Sequence, residues 1–539
     1  MTSYPDPVTA LSAWQSALVL APAFAAGAAA CFASPGATTA ATWRWARRAS
    51  WLALVGALSA LAAVLSGFSG AGLVVRSDPL GAVLMLLVAF VGWVIVRYSQ
   101  PYLNGEPEER HYVRWIMATL ATVSLVIATN HVLLLALAWT ATSFALHRLL
   151  TFYGERPAAV VAAHKKYIVA RAADGCMFAA AGLLFATFGT WRMDDIMQLV
   201  AGMPAVPLAA QAAVLLVACA ALLKCAQLPF HGWLIQVMEA PTPVSALLHA
   251  GVVNLGGFVL LRFAPLVSDV PAAQVLLVVA GTATAVLAAL VMTTRISIKV
   301  MLAWSTCAQM GFMLMQCGLG VWEMALLHLV AHSLYKAHAF LGAGGAVRRA
   351  SLVQLTPQAA PPDASGLALG LLLGVGMTAC AGLAAASLPW AHGSVLSPAL
   401  WVLAGIVSMA LVPLVHAQSL RLGGLWLPAL GLGAFCVALA YFGLHMLLGS
   451  WFLPKLAGPV VALPALCLLV ILSFATLFVL QSVVTLAPQG PWARRLYPWF
   501  YGGLFLDEKF NQLAFRLFPP PRPTVAVTAW PDINPGVRP

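Results

Sequence analysis

Long apolar runs separated by short polar segments dominate the pattern along this 539-residue chain. Each run is about 20 residues long, the length that an α-helix needs to cross the hydrocarbon core of a bilayer. The pattern therefore predicts an all-α polytopic membrane protein with about 13–15 transmembrane helices. The runs lie near residues 8–31, 50–75, 79–98, 113–129, 131–150, 166–190, 207–237, 243–265, 271–293, 299–318, 322–346, 364–388, 399–419, 425–450 and 458–485.

Composition and charge agree with that pattern. Hydrophobic residues make up 62% of the chain and charged residues only 8%, too few for the surface of a soluble protein of this size. The net charge of +12 comes from basic residues that concentrate on alternate loops. These are Arg44, Arg47, Arg48, Arg97, Arg110, Arg114, Arg148, Arg156, Lys165, Lys166, Arg295, Lys299, Arg348, Arg349, Arg421, Arg494 and Arg495.

The opposite loops carry little beyond Arg76, Arg192, Arg262 and Lys455. By the positive-inside rule, the basic loops are cytoplasmic, the N-terminus is outside and the C-terminus is inside. The basic excess is therefore explained by membrane topology, and nucleic-acid binding is not indicated. The nine cysteines include no CxxC pair, which predicts small buried side chains and no metal or other cofactor in this chain.

The chain divides into one membrane domain, residues 1–487, and a cytoplasmic tail, residues 488–539. From Trp499 to Phe518 the tail alternates apolar and polar positions at helical spacing, and Pro519 to Pro523 follow. An amphipathic helix of this kind either lies on the membrane surface or docks a partner protein.

Lys224 lies midway along the seventh apolar run, where a lysine costs about 2.5–3.5 kcal/mol on insertion scales. Pro229 removes a backbone donor shortly afterwards, so we expect the helix to break beside the charge. A lysine in apolar surroundings can load and release a proton near neutral pH, which predicts an ion-translocating role. The alternative is a lysine near a helix end that extends its ammonium to the membrane surface.

Arg171 and Asp174 are three residues apart in the sixth run and so share one face of a helix. A charged pair inside a membrane is costly unless its members satisfy each other or a third group. Asp174 is therefore either the counter-ion of Lys224 or one half of a self-sufficient structural pair.

Protonatable residues recur in two later runs. His249 lies in the eighth run, where a hydrogen-bonded core histidine is the alternative to a functional one. In the eleventh run, His328, His332 and Lys336 recur every four residues and form one stripe of about 12 Å along the helix axis. Because histidine titrates near physiological pH, the stripe predicts a proton relay. The weaker candidates, interpreted as interfacial or structural, are Glu323, His338, His392 and His416.

Several stretches resemble one family. Residues 223–230 read Leu-Lys-Cys-Ala-Gln-Leu-Pro-Phe, and residues 238–249 read Met-Glu-Ala-Pro-Thr-Pro-Val-Ser-Ala-Leu-Leu-His. With His328-Leu-Val-Ala-His-Ser-Leu-Tyr-Lys-Ala-His338 and Arg171-Ala-Ala-Asp174, they resemble the signatures of antiporter-like proton-channel subunits. That family includes the distal membrane subunits of respiratory complex I and the large subunits of multisubunit cation/proton antiporters. The resemblance covers roughly residues 80–350.

The resemblance implies two inverted five-helix repeats, roughly residues 113–265 and 271–420, each with a broken helix. The half-channels would meet at a polar axis. Ion translocation would rest on Lys224, Asp174, His249, His328, His332 and Lys336, supported by Arg171, Glu239 and Thr140.

Two departures from the family pattern stand out. The complex I subunits carry a glutamate after a tryptophan on span five, paired with the span-seven lysine, whereas this chain has Trp139 followed by Thr140. No lysine occurs around residues 387–392, where the family has one on span twelve, and His392 is the nearest titratable residue. The lateral handover of charge between neighbouring subunits is therefore not expected here.

One branch of the family resembles this chain in those departures, in residues 141–153 and 230–233, and in the short tail. That branch comprises the membrane subunits of DAB inorganic carbon accumulation complexes. The resemblance implies a cation, H⁺ or Na⁺, passing through the chain in a bacterial inner membrane. A large cytoplasmic DabA-like partner, resembling a β-carbonic anhydrase and holding zinc, would hydrate CO₂ to bicarbonate. The alternatives are a pump subunit of a complex I-like or hydrogenase complex, a cation/proton antiporter subunit, and a non-conducting scaffold.

Overall fold

A computed structural model of the chain describes residues 11–34, 36–346, 348, 351, 363–387, 397–422, 427–452 and 464–518. Most of these residues are helical, and the remaining regular structure is a two-stranded hairpin. The helices up to the eleventh predicted span are α1 Ala13–Phe32, α2 Thr39–Leu65, α3 Pro79–Tyr102, α4 Glu109–Ala128, α5 Val132–Leu150, α6 Pro157–Phe188, α7 Met193–Ala201, α8 Leu208–Lys224, α9 Gly232–Gln236, α10 Thr242–Leu247, α11 Leu255–Arg262, α12 Ala264–Ser268, α13 Pro271–Met292, α14 Ile298–Gly318 and α15 Trp322–Leu341. Then follow α16 Ala364–Ala386, α17 Pro398–Leu422, α18 Leu427–Phe452, α19 Pro464–Leu486, α20 Pro491–Tyr501 and α21 Glu508–Leu517.

Twelve helical segments in the described part of the chain are long and apolar enough to cross a membrane. The all-α polytopic class is thereby confirmed. The three other predicted spans also correspond to helices, namely α8, α15 and α17. Helix α8 has only 17 residues, about 26 Å, and α15 carries the predicted histidine and lysine stripe.

Three predicted boundaries are wrong, and one error changes the candidate site. Helix α2 begins at Thr39, well before the predicted start near residue 50. Helix α2 ends at Leu65, because the apolar residues that follow form the hairpin of β1 Gly70–Ala71 and β2 Arg76–Ser77. Helix α6 begins at Pro157, whose fixed φ suits a first helical turn, and not near residue 166. Lys165 and Lys166, predicted as loop charges, therefore lie inside α6 and are only 0% and 4% exposed.

The hairpin closes one end of the bundle. The backbone N–H of Asn130, between α4 and α5, donates to the carbonyl of Val74 at 2.7 Å. The Asn130 side chain donates to the Gly72 carbonyl at 2.9 Å and to Asp194 Oδ1 at 2.5 Å. These bonds tie the hairpin, the α4–α5 connection and the start of α7 together.

On the loops with few basic residues, the structure describes three such residues, and all three lie at this same end of the bundle. Arg76 and Arg262 both pair with Asp78, and Arg192 pairs with Asp194 at 2.6 Å. Burial raises the pKa of Asp78, but attraction to Arg262 and Arg76 outweighs it and lowers the pKa to about 2. Each basic residue at this end thus pairs with a carboxylate, and Arg76 and Arg262 share that of Asp78. Lys455 and Arg349 lie outside the described residues.

The later helices α16 to α19 pack around a second apolar cluster. Its buried members include Ala381, Leu403, Ala438 and Val470, one from each of those helices. Residues from α13, α14 and α15 join the same cluster, so the later helices pack directly against the middle of the bundle. The predicted inverted repeats stay a prediction.

The tail is not the continuous helix that the sequence pattern predicts. Helix α20 ends at Tyr501, and a short 3-10 segment, Gly503–Phe505, separates it from α21. Gly503 has φ of 64°, in the left-handed region that favours glycine, and a Cβ there would lie 3.3 Å from the Trp304 ring. The chain therefore turns where it meets the membrane helices. Pro519 to Pro523 lie outside the described residues.

Candidate ion-translocation site

Span seven breaks beside Lys224, as the sequence predicts. Helix α8 ends at Lys224, Ala226 has φ of 51°, and helical structure resumes only at Gly232. The helix C-terminus carries a partial negative charge, which stabilises a cation placed there. Lys224 is only 7% exposed, so it does not reach the surface of the bundle.

Helix α5 supplies the immediate contacts of Lys224. Its Nζ donates to the Ser143 hydroxyl at 2.9 Å and lies 4.5 Å from the centre of the Trp139 ring. Trp139 and Ser143 are four residues apart, so both face α8 from one side of α5. Each group stabilises a cation, the ring through its π face and the hydroxyl as an acceptor.

Lys166, which the sequence pattern places in a loop, lies at the same site on α6. Its ammonium donates to the backbone carbonyl of Ser143, the residue whose hydroxyl binds Lys224. We call Lys166, Lys224 and Ser143 the paired-lysine site. A signal for it exists in the sequence, because Lys166 precedes Asp174 by eight residues and so shares its helical face.

Arg171 and Asp174 pair with each other. Asp174 Oδ2 lies 2.6 Å from an Arg171 guanidinium nitrogen, and Arg171 also lies over the Phe144 ring at 4.1 Å. Asp174 is the acidic side chain that acts electrostatically on Lys224, without an ion-pair contact to it. The structure thus shows the pair with Arg171, and the role of Asp174 as the counter-ion of Lys224 stays a prediction. Thr140 lies between Trp139 and Ser143 on α5, and its hydroxyl is buried.

Span eight contains a π-helical turn, Leu248–Val252, between α10 and α11. Such turns are rare and occur frequently at functional sites. The turn holds His249, whose Nδ1 lies 3.0 Å from the Thr306 hydroxyl and whose ring stacks on Phe340 at 4.3 Å. His249 is fully buried, and its Nε2 has no hydrogen-bond partner among the described residues.

The predicted stripe on α15 faces this histidine. Lys336 is fully buried and donates to the Ser305 hydroxyl at 2.7 Å and to the Leu302 carbonyl at 3.2 Å. The Leu302 carbonyl also accepts from Thr306, which contacts His249. The His328 and His332 rings lie 6.0 Å apart. We call His249, His328, His332 and Lys336 the histidine site.

A polar seam joins the two sites. Cys225, directly after Lys224, donates through Sγ to the Val253 carbonyl at 3.2 Å. Asn254, the next residue, donates to Ser333 on α15 at 2.6 Å. Ser333 directly follows His332, so the break at Lys224 and the histidine site are connected through Val253 and Asn254, which lie between the π-helical turn and α11.

Glu239 is not brought to either site. It pairs with Arg156 at 3.3 Å, and its side chain is 43% exposed. Of the described residues, no three His, Cys, Asp or Glu side chains lie together as ligands for a metal ion would. His392 lies outside the described residues.

The tail packs against the broken helix near the paired-lysine site. Asp507, before α21, receives two hydrogen bonds from Lys165 at 2.5 and 2.6 Å and one from Gln236 at 3.0 Å. Asn511 also accepts from Lys165, at 2.7 Å. A Cβ on Gly232 would lie 1.7 Å from Asp507, so only glycine admits the carboxylate there. We call these contacts the tail clasp.

Comparison with known proteins places the chain. It is 41% identical to the "Probable inorganic carbon transporter subunit DabB" of Hydrogenovibrio crunogenus, over 88% of this chain and 91% of that protein. The chain belongs to the DabB family. A second member, the "Probable inorganic carbon transporter subunit DabB2" of Halothiobacillus neapolitanus, is 37% identical over 84% of this chain and 82% of its own length.

The DabB family is a branch of the antiporter-like subunits. Residues 128–421 match the family described as NADH:quinone oxidoreductase/Mrp antiporter, transmembrane, and residues 69–113 match the N-terminus of chain 5 of complex I. The Mrp complex of Dietzia sp. DQ12-45-1b contains a chain that is 26% identical, with a TM-score of 0.53 over 93% of this chain and 55% of that one.

A chain of an archaeal membrane-bound sulfane sulfur reductase is 19% identical, with a TM-score of 0.56 over 93% of this chain and 99% of that one. The antiporter-like fold is thus confirmed. As a multi-pass membrane member of a family of named subunits, the chain works with at least one partner protein.

Proposed function

We propose that this chain translocates protons and couples their movement to CO₂ hydration and bicarbonate accumulation by a cytoplasmic zinc-containing partner. The observation that carries the proposal is the buried ammonium of Lys224 at a break in a membrane helix, connected by a polar seam to the histidine site. A buried charge of this kind in a membrane bundle marks an ion pathway by default. The names of the DabB relatives supply the inorganic carbon part.

The chemistry of the two sites favours H⁺ over Na⁺. Their titratable groups are mainly amines and imidazoles, which bind and release protons at nitrogen. A hard metal cation instead prefers several oxygen ligands, such as carboxylates and carbonyls. The carboxylate of Asp174 is occupied by Arg171.

The partner we propose is a large DabA-like protein that resembles a β-carbonic anhydrase and holds the zinc. The zinc would lower the pKa of a bound water and so supply the nucleophile for hydration of CO₂ to bicarbonate, with release of a proton. Proton passage through this chain would favour one conformation of the docked partner and so make hydration one-way. The chain itself would need no cofactor. We place it in a bacterial inner membrane, with its N-terminus outside and its C-terminus in the cytoplasm.

The test measures bicarbonate accumulation in cells that depend on this chain. Lys224→Ala should abolish accumulation, because alanine carries no proton. Lys299→Ala is the matched control, since Lys299 is partly exposed at the start of α14 and should leave uptake intact. Unchanged uptake in Lys224→Ala at normal expression would contradict the proposal and favour a non-conducting scaffold.

The family match keeps a second candidate, a subunit of a redox-driven pump or of a cation/proton antiporter. Co-purification separates the two candidates. A large zinc-containing soluble partner supports carbon accumulation. Partners that carry quinone or flavin, or a set of further membrane subunits without zinc, support the second candidate.

A further inference from the structure

We propose that Lys166 is a second ion-carrying residue, which exchanges a proton with Lys224 across Ser143. This inference rests on the proposed function and assigns a step within it. The sequence pattern places Lys166 among loop charges, whereas in the structure it is a buried neighbour of the pathway.

Geometry brings the two lysines to one residue. Lys224 donates to the hydroxyl of Ser143, and Lys166 donates to the carbonyl of the same residue. Both side chains are almost completely buried. In the described part of the chain, neither ammonium has a carboxylate within ion-pair distance.

The charges around this residue do not balance if every group is ionised. The charged or titratable groups that act on Lys166 are Lys224 on α8, His147 on α5, and Arg171 and Asp174 on its own helix. With both lysines protonated and His147 neutral, three positive charges would face the single negative charge of Asp174. Like charges in a poorly solvated interior disfavour each other's ionised state. One proton shared by the two amines lowers that excess.

Sharing a proton is also a transfer step. The N–H bond that breaks on the ammonium of one lysine is replaced by an N–H bond on the neutral amine of the other. The proton leaves the Lys224 ammonium for the Ser143 hydroxyl while that hydroxyl releases its own proton to the neutral Lys166 amine, which would turn from the Ser143 carbonyl to the hydroxyl of the same residue, so no further reactant is needed.

The positions of the two lysines in the bundle indicate the direction of the proton transfer. Helix α5 places Trp139, Ser143 and His147 four residues apart on one face, and His147 lies one residue before Arg148 near the end of α5. Lys166 therefore lies between Lys224 and the end of the bundle that carries Arg148 and Arg156. It would be the step between Lys224 and that surface.

The experiment measures proton flux with a pH-sensitive dye in membrane vesicles that contain the full chain and its native partner. Lys166→Gln should lower flux roughly tenfold or more, because glutamine cannot take up or release the proton. Lys166→Arg keeps the positive charge and the donors but cannot release a proton, so it should not restore flux. Lys166→His should restore part of it, with the optimum moved to lower pH.

Several results would overturn the inference. One is near-normal flux in Lys166→Gln. Another is normal flux in Lys166→Arg, because arginine could replace a lysine that serves only as a structural cation. Lys299→Gln controls for expression and assembly. Where Lys166→Gln fails to assemble, the pH optimum of Lys166→His decides, and an unshifted optimum counts against the step. Lys224→Gln in the same assay separates the two proposals. If flux is lost in Lys224→Gln but normal in Lys166→Gln, this inference fails and the proposed function stands.

Discussion

The paired-lysine site and the histidine site both bury cationic groups in an apolar bundle, but they stabilise them differently. At the paired-lysine site, Lys224 lies at a helix C-terminus with the Arg171–Asp174 pair nearby. At the histidine site, Lys336 is held by a hydroxyl and a carbonyl, and among the described residues it has no ion-pair partner. Neither lysine has an ion-pair partner among the described residues, but the carboxylate of Asp174 acts on Lys224, whereas Lys336 is contacted by a hydroxyl and a carbonyl alone.

The difference assigns the two sites different tasks. A proton can rest at the paired-lysine site, because a helix end and a carboxylate stabilise it there. At the histidine site a long-lived charge is costly, since imidazole and amine lie together without a counter-ion. Protons should therefore pass through the histidine site and pause at the paired-lysine site.

Among the variants that test this difference between the two sites, the largest loss of proton flux is expected for a substitution of Lys336. Lys336→Gln keeps a donor near Ser305 and Leu302 but removes the titratable amine. We expect proton flux in vesicles to fall by roughly 10²-fold, because no other amine lies at that point of the stripe. Flux within about twofold of the Lys299→Gln control would show that the histidine site is structural, and that the path does not pass through it.

A smaller effect is expected at the tail clasp, which holds the tail next to the paired-lysine site. Asp507→Asn removes the counter-ion of the buried Lys165, and Gly232→Ala blocks the space that the carboxylate fills. We expect either change to lower the free energy of unfolding by about 1–3 kcal/mol, less than for a fully buried pair, because Asp507 is partly exposed.

The readout for the clasp is thermal unfolding of the purified protein together with protease cleavage of the tail. Glu508→Gln is the matched control, since Glu508 is exposed on the next position. Cleavage that is unchanged in both clasp variants would contradict the idea that these contacts fix the tail. Proton flux should change only modestly, which distinguishes the clasp from either buried site.

Much of the architecture could be predicted from the sequence because its signals are local. The length of each apolar run fixes a span, and Pro229 after Lys224 indicates where the chain breaks. The four-residue spacing of His328, His332 and Lys336 places them on one face without any knowledge of the partner helices.

The missing parts depend on contacts between distant residues. Lys165 and Asp507 are 342 positions apart, and no local pattern joins them. The role of Ser143 depends on how α5, α6 and α8 meet. The place of Lys166 is hidden in the sequence for another reason. The apolar run begins after it, whereas the helix begins at Pro157, so the pattern predicts a loop for charges that lie inside the first turns of α6.

The central claim is that buried Lys224 carries protons through this chain. The most direct measurement compares dye-detected proton flux under an imposed pH gradient in vesicles containing the wild-type chain, Lys224→Gln or Lys299→Gln, each with the native partner. We predict flux in the wild type and in Lys299→Gln, and loss of flux in Lys224→Gln at equal protein levels. Equal flux in all three would contradict the account.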